Sequence, residues 1–123
     1  MHEFSLTAQI VEKVLHEAKK RNAKKVLAIR LVIGKLTFLA KEQIKFAYKL
    51  LSEGTILEGS RIYIEEAEGI VKCKNCEFKG KIAYKDDPAY HIAFPIFSCP
   101  KCNKSVEVVS GRECLIKSIK ILA

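Results

Sequence analysis

Two matched cysteine pairs constrain this chain more than any other feature. Cys73-Lys74-Asn75-Cys76 is followed, after 22 residues, by Cys99-Pro100-Lys101-Cys102. A C-x-x-C turn points two sulfurs at one spot, and two such turns make a tetrahedral four-sulfur cage, the arrangement structural Zn²⁺ prefers. Four sulfurs leave no position for water or substrate, so the site is expected to be closed and structural. A pair of disulfides would suit a small secreted scaffold, but the opening residues do not read as a secretory leader. A thioredoxin-type redox pair needs only one C-x-x-C, at a helix start.

The 123 residues are 49% hydrophobic, enough for one compact domain with a small metal-stapled appendage. No stretch approaches the roughly 20 apolar residues of a membrane span. A cytoplasmic location is therefore expected, where thiolates stay reduced and available to metal, with no membrane partner. The formal net charge is +8 and the sequence pI about 9.3. A four-thiolate zinc cage carries about −2, lowering the net to about +6. A basic balance permits nucleic-acid or acidic-protein partners. The lysines are spread along the whole chain, which suits a solvated surface.

Periodicity organises the rest. Leu6, Ile10, Val14 and Ala18, widened by Val11 and Leu15, predict an amphipathic helix over 5–21, with Asn22 as its stop. Residues 25–33 predict a strand, with Leu27, Ile29, Leu31 and Ile33 alternating against Val26, Ala28, Arg30 and Val32. A second helix is predicted over 41–52, with Ile44, Ala47, Tyr48 and Leu51 on one face and Gly54 ending it. A second strand covers 60–66, with Ile62 and Ile64 inward, and a third covers 112–121. In that third strand alternation fails around Lys117-Ser118, so its faces are not assigned.

The fold class is thus α+β: two helices on a three-stranded sheet, with an inserted four-cysteine zinc-ribbon-like domain. The expected division is 1–69 plus 111–123 for the α+β domain and 70–110 for the zinc domain. Gly69 and Ser110-Gly111 would serve as paired hinges. About 40 residues bury too little surface to fold alone, so the metal should supply much of their stability.

The N-terminus is a second place to look for metal. Met1-His2-Glu3 offers an amine, peptide nitrogens and an imidazole. With the amides deprotonated, these nitrogens can fill the square plane associated with Ni(II) or Cu(II). Such a site must shed protons to bind, so acid weakens it. From these residues alone a solvated histidine is the better account, since an N-terminal histidine is usually just solvated.

Taken together, these features resemble the HypA family, nickel metallochaperones of NiFe-hydrogenase (and in some bacteria urease) maturation. The likeness rests on Met1-His2-Glu3 with Ser5-Leu6, Ile33-Gly34-Lys35-Leu36, Leu51-Ser52-Glu53-Gly54-Thr55 and the two C-x-x-C pairs. It extends to Ser110-Gly111-Arg112-Glu113 and Ile116-Lys117-Ser118-Ile119. The resemblance implies a nickel-binding α+β domain with an inserted zinc domain. It further implies Ni²⁺ held by the Met1 amine, the His2 imidazole and amide and the Glu3 amide, and Zn²⁺ held by Cys73, Cys76, Cys99 and Cys102. The implied partners are the GTPase HypB and the hydrogenase large-subunit precursor.

The gap between cysteine pairs is longer than in many bacterial relatives and contains His91, an additional nickel ligand if the N-terminal site reaches it and otherwise a surface or packed histidine. Cys114 stands where relatives often carry Leu and reads as a small buried hydrophobe. The Glu3 carboxylate could orient His2. No nucleophile–base pattern, phosphate loop or paired-carboxylate site stands out, so no enzyme activity is expected. The alternative function is a zinc-ribbon nucleic-acid-binding module. It would use Lys72, Lys74, Lys79, Lys81, Lys85, Lys101 and Lys104 with Phe78, Tyr84 and Tyr90 for stacking. It has no use for Met1-His2, and nucleic acid is not expected among the partners.

Overall fold

A computed structural model describes residues 2–87 and 92–123, with the backbone alone followed at 86–87 and 92–93. The chain forms two compact units: Met1–Ile33, Phe38–Glu65 and Cys114–Ala123 in the first, Gly34–Thr37 and Glu66–Glu113 in the second. The second unit therefore takes in short segments on both sides of the 70–110 stretch and a four-residue piece from far upstream.

The first unit holds helix α1 (His2–Lys20), strand β1 (Lys25–Gly34) up to Ile33, helix α2 (Lys41–Ser52), strand β2 (Arg61–Ala67) up to Glu65 and strand β8 (Cys114–Leu122). The strands form one sheet in the order β2-β1-β8, with β1 and β8 antiparallel. The helical stripes do what their spacing predicts. Ile10, Val11, Val14 and Ala18 of α1 and Ile44 and Tyr48 of α2 are buried with Val26, Ile29, Leu31, Ile33 and Leu57 in one core. Thr7 also goes inside, because its hydroxyl donates to the Glu3 carbonyl at 2.6 Å. Asn22 ends α1 in the left-handed region (φ 53°). The Ala23 N–H then donates to Ala18 O and the Asn22 N–H to Lys19 O, a Schellman closure.

One strand face departs from simple alternation. Val26 is fully buried and Leu27 is 37% exposed, the reverse of the expectation. A bulge explains it: the β1 partners step from Val26↔Ile121 to Ala28↔Lys120, leaving Leu27 unopposed. On β8 the step from Ser118 to Ile116 leaves Lys117 unopposed in turn. The inward residues of β8 are therefore Ile116, Ile119 and Ile121, with a three-residue interval across the slip.

The second unit holds β3 (Ile70–Lys72), β4 (Lys79–Lys81) and β7 (Glu107–Ser110) as an antiparallel sheet in the order β4-β3-β7. It also holds a hairpin of β5 (Ala83–Asp87) and β6 (Ile92–Ile96). Its core is small: Leu36, Val71 and Ile82, with Phe78, Val106 and Val108 packed against them. Leu36 comes from the short 3₁₀ turn Lys35–Thr37, and its N–H donates to Gly111 O at 2.8 Å. The glycines act here as close-packing points rather than as loose hinges. A Cβ on Gly34 would overlap the Gly111 carbonyl, and one on Gly69 would crowd Ile82 and Leu36. Gly111 also has φ 113°, a backbone that side chains disfavour.

Candidate metal centres

The two C-x-x-C segments fold into the same turn twice. The Cys73 N–H donates to Phe78 O at 2.7 Å, and the Cys99 N–H donates to Lys104 O at 2.7 Å. Each turn reverses through a left-handed residue just after its second cysteine, Glu77 at φ 62° and Asn103 at φ 61°. A non-glycine residue in that region costs on the order of 1 kcal/mol or more, so surrounding structure must hold it there. All four Sγ atoms lie within 4.8 Å of one another, with Cys73–Cys102 at 3.6 Å and Cys76–Cys99 at 3.4 Å. Tetrahedral Zn–S bonds of about 2.3 Å would separate sulfurs by about 3.8 Å. The four cysteines are free thiols, far beyond the about 2.05 Å of a disulfide. The cage fits zinc, as its spacing predicts.

Backbone amides prepare the cage for a cation. The Cys102 thiol is pulled down to about 6, first by the Lys104 N–H. Burial opposes ionisation of Cys99, but the N–H groups of Cys102 and Lys101 outweigh it and hold that thiol below its ordinary value; the Lys101 nitrogen stands 3.4 Å from Cys99 Sγ. Cys76 goes the other way, up to about 12. The Phe78 N–H favours its thiolate, yet the Cys99 sulfur, desolvation and then the Cys73 and Cys102 sulfurs resist further negative charge. Without metal the cluster keeps protons. A dication removes that repulsion and releases them.

At the other end of the chain, His2 is exposed and opens α1. Met1 and His91 lie outside the described residues. The carbonyls of His2 and Glu3 are engaged, accepting hydroxyl bonds from Ser5 at 3.3 Å and Thr7 at 2.6 Å. The Glu3 carboxylate does not turn to His2. It accepts the Ala40 N–H at 3.1 Å, and that bond first, then its own N–H, lowers its pKa. The partner is a backbone group, so no side-chain pattern could have announced it.

Other expected residues fall out as follows. Cys114 is exposed at the start of β8 rather than buried. Ser110-Gly111-Arg112-Glu113 is a self-bonded loop: Glu113 accepts the Gly111 N–H at 2.5 Å and the Ser110 hydroxyl at 3.0 Å. A small residue pair followed two positions on by a carboxylate is a readable signal for such a loop. Phe78 packs on the second core with Lys101 Nζ 5.7 Å from its ring centroid, and Lys74 pairs with Glu107 at 3.7 Å. Those positions are thus occupied by the unit's own packing, which weakens a nucleic-acid stacking surface. Among the described residues no helix is long and apolar enough to cross a membrane.

Comparison with known proteins converges on one family. Residues 1–121 match HypA, described as hydrogenase/urease nickel incorporation, metallochaperone. The hydrogenase maturation factor HypA of Methanothermobacter thermautotrophicus is 42% identical over 122 residues, covering 98% of this chain and 97% of that one. The factor of the same name from Methanopyrus kandleri is 36% identical over 132 residues, covering 98% and 93%. The solution structure of the Ni metallochaperone HypA from Helicobacter pylori shares the fold with a TM-score of 0.65 at 24% identity, covering 100% of this chain and 99% of that one.

Proposed function

The chain belongs to the HypA family of hydrogenase/urease nickel-incorporation metallochaperones, and from that premise we propose where it carries the metal and to whom it passes it. Ni(II) is bound by the Met1 amine, the His2 imidazole and the backbone amides of His2 and Glu3. It is then delivered to the large-subunit precursor of a NiFe-hydrogenase with the GTPase HypB as partner. In this reading nickel is cargo, the protein is not an enzyme, it works in the cytoplasm, and the zinc of Cys73, Cys76, Cys99 and Cys102 stays in place. Nickel belongs to the first unit and zinc to the second.

One observation carries the reading: His2 is exposed in the first turn of α1. The first N–H groups of a helix have no partner within it. Replacing the amide protons of His2 and Glu3 by metal therefore breaks no helical ladder bond. Amine, amides and imidazole are nitrogen donors suited to square-planar Ni(II), and a recipient's ligands can attack the open faces of that plane. Transfer then proceeds by ligand exchange, with protons returning to the amides as nickel leaves.

The test is nickel titration of zinc-loaded protein with a native, untagged N-terminus against the same protein acetylated at Met1. Acetylation removes the amine's lone pair and should abolish tight binding with zinc content unchanged. Equal affinity in the two would eliminate the amine as a ligand and with it this site. His91 keeps the two readings of the sequence, an additional nickel ligand or a surface or packed histidine. A His91→Ala variant that binds nickel more weakly would support the first, and identical titrations would return it to the second.

A further inference from the structure

The outward face of the β2-β1-β8 sheet carries a second feature, independent of which metal the N-terminus holds. Ala28 lies on the middle strand, its Cα partner across the sheet being Lys120, and Arg30 two residues on is opposite Ser118. With Arg61 and Tyr63 of β2, these side chains line a recess of about 320 Å³. The small Ala28 leaves the depression that larger neighbours wall. Three cations border it and no carboxylate lines it. Glu65, at the adjoining recess, is held by Lys117 at 2.9 Å. Among the described residues, Arg30, Arg61 and Lys120 have no carboxylate at ion-pairing distance.

The Arg30 guanidinium sits 4.7 Å from the Tyr63 ring centroid. A guanidinium stacked by its face keeps its N–H donors for an acceptor, and its planar fork matches a carboxylate. The same contact occupies one face of the Tyr63 ring, which leaves less of it as a platform for a base. Beside the cations, Leu115 is 48% exposed opposite Val32, which faces away from the buried Leu31 and Ile33. An apolar step next to an unpaired cationic recess suits a polypeptide better than a free anion. Arg61, Arg30 and Lys120 stand on the three neighbouring strands β2, β1 and β8, which lie about 4.8 Å apart, so the cations run across the sheet rather than along one strand.

We propose that this sheet face is a docking surface for an acidic segment of a partner protein, with its carboxylates seated on Arg30, Arg61 and Lys120, one cation from each of the three strands. The probe is an acetylated and amidated Glu-Ala-Glu-Ala-Glu peptide titrated into full-length, zinc-loaded protein by NMR. Amide shifts should concentrate at Ala28, Arg30, Tyr63 and Ser118. The triple variant Arg30→Glu, Arg61→Glu, Lys120→Glu should lose at least tenfold in affinity, and the milder Arg30→Gln, Arg61→Gln, Lys120→Gln should also weaken it. Zinc content and thermal melting check that each variant is folded. A control with the same charge change, Lys24→Glu, Lys49→Glu, Lys79→Glu, should bind nearly as well as the parent. Equal losses in the control would mean long-range charge only and would overturn the proposal. So would tighter binding of a thymidylate pentamer at the same amides, or displacement of the peptide by inorganic phosphate at equal concentration.

Discussion

The Glu3 carboxylate and the Ala40 backbone N–H, 37 residues apart in sequence, are joined at 3.1 Å. Ala40 is the N-cap of α2, just before its first residue Lys41, and it supplies no side-chain cap bond. Alanine cannot supply one, and a helix start carries partial positive charge. Glu3 therefore brings α2 the anion that its own N-cap lacks. The same bond fixes the first turn of α1, where His2 stands.

Removing that carboxylate should loosen both ends at once. Glu3→Ala is expected to speed amide exchange at Ala40 and in the first turn of α2, and to leave zinc content unchanged. The pH dependence has a definite sign. The folded-state pKa of Glu3 lies below its ordinary value of 4.5, so the contact stabilises the fold above that value and is lost as pH falls through the lower, folded one. Carboxyl titration followed by NMR checks this. A midpoint at or above 4.5 would show that the Ala40 bond does not form in solution.

The small second core predicts selective collapse when zinc is removed. Among the described residues, its buried apolar members are Leu36, Val71 and Ile82, against eleven buried residues in the core of the first unit. Chelation, or Cys→Ser at any of Cys73, Cys76, Cys99 and Cys102, should collapse NMR dispersion for residues 66–113 and spare the helices. The raised thiol at Cys76 also predicts that zinc uptake near neutral pH releases protons, measurable with a pH indicator in weak buffer, while Cys102, lowered to about 6, contributes little to that release. Unchanged spectra after complete zinc removal would sink the structural role.

A core substitution should do the converse. Ile29 is fully buried on the middle strand. Ile29→Ala should destabilise the first unit by about 2–5 kcal/mol through lost transfer energy and a residual cavity. Urea unfolding of zinc-loaded protein measures it, and zinc stoichiometry before the transition should stay at that of the parent.

Several features were readable before any coordinates. The buried stripes of both helices, the Asn22 stop and each C-x-x-C turn follow from local spacing, because each depends on residues close in sequence, and the cage follows from two such turns matching. What escaped depends on partners far away. Leu27 and Val26 exchange faces because β8 pairs with β1 through a bulge, and nothing in 25–33 alone encodes that slip. Cys114 is exposed because it is the first residue of its strand, where little of the sheet covers it. Gly69 and Gly111 looked like hinges, since glycine permits bending and close contact equally well; only the packing, in which Gly34 joins them, tells the two apart.

Those glycines yield a sharp prediction. A methyl at Gly34 would overlap the Gly111 carbonyl, and backbone cannot move aside as a side chain can. Gly34→Ala should therefore cost more than about 2 kcal/mol and disturb the second unit, breaking the Leu36 N–H bond to Gly111 O. Gly54→Ala is the contrast: its φ is 75°, but nothing lies within 4 Å of an added Cβ. It should cost only about 1 kcal/mol of backbone strain. Equal melting temperatures for the two variants would refute close approach as the reason for Gly34.

The last prediction separates the two metals. Nickel should be lost on His2→Ala, which removes the imidazole, and on acetylation of Met1, which removes the amine's lone pair. Zinc should survive both, because the cysteine cage uses sulfur ligands held by a different part of the chain. Glu3→Ala should reduce nickel affinity less than His2→Ala does, since it removes a support and leaves every proposed donor atom in place. Nickel should also be released as pH falls below about 6, where free amines and imidazoles take up protons, while zinc held by thiolates follows its own pH course. Parallel nickel and zinc titrations of the three variants, read by calorimetry and by the ligand-field bands of square-planar Ni(II), decide the matter. Nickel binding that persists in the His2→Ala variant and disappears on Cys→Ser substitution would move the cargo site to the cysteine cage.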